Sequence, residues 1–447
     1  MRSSRRPLVV LAATVAVIAL LTAAATVRDT GRRDKVGLYS LGLGVLPDGT
    51  LTNIPVGSTV AYLPGSRVIR PGVEASAEER EAAEGLARES RRWLASGSVP
   101  GGNGPYGDMV TDALLDLHAL TVDGGAALAG NSRNWRYVWP RDASFVIAAL
   151  GATGHTEDAM EILDFLAGVQ HADGTFEARY LPDGSGPPDD RGLQSDGSGW
   201  VLWAVDYLLG TLPPTLEGRG LRSAILERYR PLIERSTAFL LSEVDGPDAL
   251  PTPSADYWEH RESRLTLGTA APLLAGLESA ARLYTDLGLA DHADEATTGA
   301  DLLRTAVISA FGSSGYGRYP GRSARDAATA FLLPPFQPEA LPGAEGAWRA
   351  SLVEMARPAG GLAPGAAWPE QSISWTPQTS LYAWSAAANA DTERAHELLS
   401  WIDSHRTSLG AISEKVGPEG DAAGVAPLSW SCAVVILTVA ELDRSAD

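Results

Sequence analysis

The sequence predicts an all-α fold, an (α/α)6 barrel (a six-hairpin toroid), with a short N-terminal β or irregular appendage and an N-terminal signal or anchor helix. Three observations predict it. Helix-length apolar patterns recur about every 25 residues from residue 107 onward. Brief turns alternate with long loops, at 121–140, 172–196, 244–265, 313–323, 358–375 and 407–426. The helices after the long loops are apolar almost all round, as in Trp200-Val201-Leu202-Trp203-Ala204-Val205, whereas partners such as 221–241 are amphipathic and charged. An inner and an outer ring need that contrast. An open array of helical hairpins gives a similar pattern and stays as the alternative.

Three segments follow from this pattern: 1–27, a signal peptide or membrane anchor; 28–100, a short β-rich stalk and linker helix; and 101–447, the barrel. In the first, Arg2, Arg5 and Arg6 precede an unbroken apolar stretch from Leu8 to Val27, about the length that spans a bilayer. Thr22-Ala23-Ala24-Ala25 supplies the small residues a signal peptidase needs, so cleavage and an uncleaved anchor are both open. Either way the bulk of the chain is expected to be exported, membrane-anchored or secreted. Residues 36–41 and 58–63 read as short strands around the turn Pro47-Asp48-Gly49, and 78–94 as a charged amphipathic helix. Beyond it the expected helices are 107–120, 141–153, 156–171, 197–211, 218–243, 266–288, 290–312, 324–333, 345–357, 376–389, 391–406 and 427–443. Those beginning at 141, 197, 266, 324, 376 and 427 each follow a long loop and form the inner ring. Their N-terminal ends then share one mouth, where partial positive charge and loop residues meet.

Composition narrows the function. The 447 residues carry a net charge of −19, which argues against nucleic acid and against an anionic membrane surface as partners. Lys35 and Lys415 are the only lysines, which reads as genome composition. Cys432 is the only cysteine and lies in an apolar run, so no intramolecular disulfide and no cysteine-based metal site can form. Asp183-Gly184 and Asp189-Asp190 could bind Ca²⁺ but are equally ordinary turn sequences. His118, His155 and His171 lack metal-ligand spacing.

The chemistry sits in the loops. Asp256-Tyr257-Trp258-Glu259 and Ser413-Glu414-Lys415 are short segments carrying a carboxylate between helical elements. A glycosidic bond is cleaved by two carboxyl groups across one sugar ring, one donating a proton to the leaving oxygen and the other activating water or attacking. Only a closed fold could bring Glu259 and Glu414 face to face. Read without further context, each is better explained by a pairing, Glu259 with Arg261 or Arg264 and Glu414 with Lys415. A third segment, Asn134-Trp135-Arg136-Tyr137-Val138-Trp139-Pro140-Arg141-Asp142, joins aromatic faces, which stack on sugar C–H faces, to an Arg and an Asp able to bond vicinal hydroxyls. Its plainer reading is a helix start with Asp142 at the positive end of the dipole. Trp368, Trp375 and Asp326 also precede inner helices, with core and N-cap roles equally open.

Taken together, four segments resemble the glucoamylase family, glycoside hydrolase family 15. These are Gly125 to Phe145, Leu193-Gln194-Ser195-Asp196-Gly197-Ser198-Gly199-Trp200, Asp256-Tyr257-Trp258-Glu259-His260-Arg261, and Gly410 to Val416 followed by Pro427-Leu428-Ser429-Trp430-Ser431. They occur in the family's order over residues 105–443. The resemblance implies Glu259 as general acid and Glu414 as general base. It places Arg141 and Asp142 at the terminal glucose, with Trp139 and Trp258 lining the pocket and Tyr137, Trp200 and Trp375 as further substrate-binding residues. It further implies an inverting, exo-acting hydrolase that releases glucose from non-reducing ends of α-glucan or α-glucoside oligosaccharides, with no metal and no cofactor. Glu259 must then be protonated, as a partly dry Trp-lined site would favour, and Glu414 ionised. The sequence departs from the family at His260, where a second acid is usual. It also lacks the large N-terminal sandwich of many bacterial members and a visible starch-binding module. Two alternatives stand beside this reading: a trehalase-type member, and a non-catalytic glycan-binding envelope protein on the same barrel.

Overall fold

The computed structural model describes residues 36–446. The expected signal or anchor segment at 1–27 lies outside the described residues, and among those described no helix is long and apolar enough to cross a membrane.

Twelve α-helices occupy the described chain. They are α1 (Ala77–Ser96), α2 (Gly107–Leu120), α3 (Pro140–Ala152), α4 (Thr156–Val169), α5 (Asp196–Thr211), α6 (Leu216–Val244), α7 (Leu267–Asp286), α8 (Ala290–Phe311), α9 (Ala344–Met355), α10 (Thr376–Ala388), α11 (Thr392–Ser404) and α12 (Ser429–Ala446). Between α8 and α9 lie a single 3-10 turn, Gly312–Ser314, and a longer 3-10 helix, Ala327–Leu332. Short strands complete the inventory: β1 (Gly42–Val45), β2 (Leu51–Ile54), β3 (Thr121–Val122), β4 (Ala126–Ala127), β5 (Ser374–Trp375), β6 (Lys415–Val416) and β7 (Ala422–Ala423).

The inner ring closes. In order round it, α3 touches α5, α5 touches α7, α7 touches the 3-10 helix, that helix touches α10, α10 touches α12, and α12 returns to α3. An open array would leave α12 far from α3, so the contact between them decides for the barrel. The outer partners α4, α6, α8, α9 and α11 each pack on the inner element before them, and α2 packs on α12. Inner helices are buried over most of their length, α5 from Asp196 through Val205 without a break. Gly199 and Gly276 let α5 and α7 approach closely: a β-carbon on Gly199 would lie 2.3 Å from the Pro272 carbonyl oxygen.

Side chains fill the ring's centre below the mouth. Phe145 of α3 lies 5.2 Å from Trp200 of α5 and 5.6 Å from Trp430 of α12, while Trp200 lies 4.8 Å from Phe331 and Phe336 lies 5.3 Å from Trp384 of α10. Edge-to-face geometry dominates, as ring quadrupoles favour. This aromatic plug stabilises the barrel by burial and floors whatever opens above it.

Two expectations change. The segment expected as an α-helix over 324–333 forms only a six-residue 3-10 helix, Ala327–Leu332, because Pro334 and Pro335 lack the N–H groups that a further turn requires. The strands expected at 36–41 and 58–63 are instead the hairpin β1–β2, which flanks the turn directly: Val45 pairs with Leu51, and Gly49 adopts φ 83. Glycine at 42 and 44 hides the alternation of β1. The segments expected as strands contribute single bridges, Leu38 to Gly424 and Tyr62 to Ile69.

Residues 36–75 lie against the barrel rather than trailing from it. Arg67 is buried and ion-paired to Asp112 and Asp116 of α2, at 2.9 and 2.5 Å. The Ser40 hydroxyl donates to the Ala426 carbonyl, and Gly424 N–H donates to the Gly37 carbonyl. Helix α1 begins with a capping box: Ser76 Oγ accepts from Glu79 N–H while Glu79 accepts from Ser76 N–H. Ser76→Ala should cost about 1 kcal/mol, read as a fall in urea midpoint with an unchanged slope; no change would assign the helix start to tertiary contacts alone.

Candidate active site

Glu259 stands in the loop before α7, and Glu414 directly precedes β6 in the loop before α12. These helices are the third and sixth elements of a ring of six, so the two loops face each other across the mouth. Both side chains line one cavity of about 470 Å³. Arg141, Asp142, Trp139, Trp258 and Trp375 line it with them, and so do Trp135, Arg179, Arg191, Trp368, Lys415 and Trp430.

Glu259 is held by backbone geometry. Asp256 Oδ1 accepts from Trp258 N–H, Glu259 N–H donates back to the Asp256 carbonyl at 2.8 Å, and Glu259 itself adopts φ 58, a strained conformation for a non-glycine residue. Asp256 is in turn fixed by the Thr266 hydroxyl, the N-cap of α7, and by Arg318. The Glu259 carboxylate lies between two guanidiniums, Arg141 Nη2 at 3.0 Å and Arg191 Nη1 at 2.7 Å. The sequence reading expects a dry proton donor here; the structure instead shows a carboxylate engaged at both oxygens. The cause is Arg191 at the end of the 172–196 loop, which sequence spacing gives no reason to bring to position 259.

Glu414 has the opposite setting. It is nearly buried, its backbone is tied to Val425 and Thr376, and its pKa is pushed up to about 7. Burial is the main cause; Lys415 and a hydrogen bond from the Trp135 indole oppose it, while Glu370 and Asp142 add to it. Its Oε2 is buried without a hydrogen-bond partner. Gly424 packs beside it at φ 74, where a β-carbon would lie 2.8 Å from that oxygen.

Arg141 organises the floor. From the first turn of α3 it reaches Asp142 Oδ1 at 3.2 Å, Asp196 Oδ2 at 3.3 Å and Glu259, and its guanidinium lies 5.3 Å from the Trp430 ring centre. Burial raises Asp142 to about 6 and Asp196 to about 7, with Arg141 pulling both back. On one side Trp258, Trp368 and Trp375 form a wall, with ring centres 4.9 and 5.3 Å apart. His260 stacks on Trp368 at 5.6 Å.

Two expected substrate-binding residues stand elsewhere. Trp200 is fully buried in the aromatic plug, because it follows the first turn of α5 and points into the ring. Tyr137 does not line the cavity; it backs Trp139 from 6.2 Å and lies under the Arg179 guanidinium at 4.5 Å. Arg191, Trp430 and Asp196 join the site without having been singled out as ligands. Asp196 and Trp430 sit inside segments that carry the family resemblance, so a signal was present; Arg191 sits in a Gly/Asp loop with none. The possible Ca²⁺ residues are otherwise engaged: Asp183 caps a turn at Ser185, and Asp189 pairs with Arg179 and Arg191. Asp326 is an N-cap, accepting from Ala328 N–H, and also pairs with Arg318.

In fold, the chain is an (α/α)6 barrel of the kind found in solved glycosidases. It superposes on a glycosidase solved as the wild type with a TM-score of 0.63 at 22% identity, covering 75% of this chain and 96% of that one. A bacterial glucoamylase complexed with acarbose aligns with a TM-score of 0.65 at 17% identity, over 83% of this chain and 62% of the other. The glucoamylase of Saccharomycopsis fibuligera gives 0.59 at 14%, over 72% and 90%. The chain therefore shares the fold of these glucoamylases. By sequence the chain is similar to an uncharacterised glycosyl hydrolase of Methanocaldococcus jannaschii, 32% identical over 33% of this chain, and to Trehalase 2 of Sulfolobus acidocaldarius, 26% identical over 71% of it. The matches span 22% and 58% of those two relatives. No family model matches the chain.

Proposed function

We propose that this protein is an exo-acting, inverting glycoside hydrolase that releases glucose from the non-reducing ends of α-glucan or α-glucoside oligosaccharides. One observation carries the reading: Glu259 and Glu414 reach a single cavity from opposed loops of a closed ring. The glycosidase relatives in sequence and structure support it. Glu259 would protonate the glycosidic oxygen, and Glu414 would take a proton from water attacking the anomeric carbon from the other face. Arg141 and Asp142 would bond hydroxyls of the terminal sugar as donor and acceptor, and the Trp139 and Trp258 rings would cover its apolar faces. A sugar entering the cavity would displace Arg191 from Glu259, freeing an oxygen to carry the catalytic proton. Inversion requires roughly 6.5–9.5 Å between the carboxyl groups, room for that water.

A second reading, hydrolysis of trehalose, is favoured by the trehalase relative, which aligns with most of this chain. One experiment separates the two: incubation with maltooligosaccharides, isomaltooligosaccharides and trehalose, with proton NMR following the first sugar released. β-Glucose appearing first from an oligosaccharide is the expected result. Release from trehalose alone supports the second reading, first-formed α-glucose from a maltooligosaccharide refutes inversion, and no release from any sugar by folded protein refutes both.

A further inference from the structure

Lysine is almost absent from this chain. Of 36 basic residues only Lys35 and Lys415 are lysines, and Lys415 follows Glu414 directly and lines the same cavity. Arginine serves every other cationic task there, so the exception calls for a physical reason. Lys415 Nζ lies 4.0 Å from the centre of the Trp375 ring, a cation-π contact, and 3.8 Å from Glu370 Oε2, beyond hydrogen-bonding reach. The side chain is mostly buried.

The groups facing Glu414 are unbalanced. Asp142 of α3 and Glu370 of the loop before β5 are acidic, Trp135 donates one hydrogen bond, and the Tyr39 phenol of the N-terminal segment lies within the carboxyl's field. Lys415 is the leading cationic influence on it. Arginines elsewhere in the cavity show the alternative: Arg141 and Arg191 clamp Glu259 through both oxygens. A guanidinium's planar fork matches a carboxylate, whereas an ammonium is a point charge on a flexible stem. Held over Trp375, it exerts its field on Glu414 while Oε2 remains unbonded.

We propose that Lys415 is a positioning residue for the candidate base: its charge, parked on Trp375, keeps Glu414 ionised without occupying the oxygen that must accept a proton from water. The inference rests on the reading of Glu414 as general base. The test compares wild type, Lys415→Met and Lys415→Arg as full-length protein, with folding checked by circular dichroism. It measures kcat/KM against pH on whichever sugar the wild type cleaves. It also measures the carboxylate infrared band assigned to Glu414 by its loss in Glu414→Gln. In Lys415→Met the acidic limb and the infrared titration should both move up by about one pH unit, the low end for an opposite charge nearby. Lys415→Arg keeps the charge, so neither should move up, but its planar fork should engage the Glu414 carboxylate and lower kcat. An unmoved titration in Lys415→Met overturns the proposal, and so does an equal shift in Lys415→Arg, which would assign the effect to shape. Should the wild type cleave nothing, the hydrolase reading falls, and the infrared titration alone still decides whether Lys415 sets the charge on Glu414.

Discussion

Glu414→Gln and Glu259→Gln are each expected to lower kcat by about 10²–10⁴-fold, the range for losing one positioned acid or base. The fold should remain intact, since amide and carboxyl are nearly isosteric. The two variants should differ in a way that assigns roles. Glu414 must be ionised to accept a proton, and its pKa is near 7. Activity limited by it therefore rises as pH increases through about 7 and is lost below. Stability runs the other way. A carboxyl at about 7 in the folded chain and 4.5 unfolded binds more protons when folded between those values. Its stabilising share is thus fully present below about pH 4.5 and lost as pH rises through about 7. Glu414→Gln removes a buried charge, so at pH 8 it should be more stable than the wild type by up to about 3 kcal/mol, and near equal at pH 4.5. Urea denaturation at the two pH values reads this directly. A variant less stable at pH 8 would show that the Glu414 charge is satisfied in the fold, contrary to the site described.

How much of this was legible in the sequence follows from what each signal depends on. Helix periodicity and turn lengths depend on local residues, and the barrel's helices lie close to the expected spans. Ring closure depends on whether α12 meets α3, and no local pattern records that. The carboxylate loops were legible because Asp256-Tyr257-Trp258-Glu259 and Ser413-Glu414-Lys415 are compact and unusual. The state of their charges was not, because it depends on partners distant in sequence: Arg191 at Glu259, and Trp135, Asp142 and Glu370 around Glu414. Trp200 shows the same limit from the other side. An aromatic at the start of an inner helix suits a sugar platform and a core position equally, and one turn of helix decides which way the ring points.

Arg318 supplies the strongest structural test, because it is buried and binds three acidic residues, two of them fully buried. Its Nη1 lies 2.8 Å from Asp256 and 2.7 Å from Asp326, its Nη2 lies 2.7 Å from Glu262, and the guanidinium covers the Trp258 ring at 3.9 Å. It thereby ties the Glu259 loop to the 313–323 loop and to the cap of the 3-10 helix. Arg318→Met would leave Asp256 and Asp326, both fully buried, without their counter-charge. The expected loss is about 3–5 kcal/mol at pH 8, since the cost of an unpaired buried charge exceeds what the intact pair contributes. Asp326 already stands at about 6 with the arginine present, and removal should raise it further, so this acid would be protonated at pH 5 and the loss smaller there. Arg318→Lys should rescue little, because one ammonium cannot serve three carboxylates in planar geometry and stack on Trp258 as well. Thermal or urea unfolding at pH 5 and 8 measures the effect. The double variant Arg318→Met/Asp256→Asn should recover part of the loss at pH 8, because it removes one orphaned charge while the Asn Oδ1 can still accept from the Trp258 N–H that sets the turn carrying Glu259. If Arg318→Met were as stable as wild type at pH 8, the triple pairing would not hold this loop, and the rigidity of Glu259 would have to come from its backbone alone.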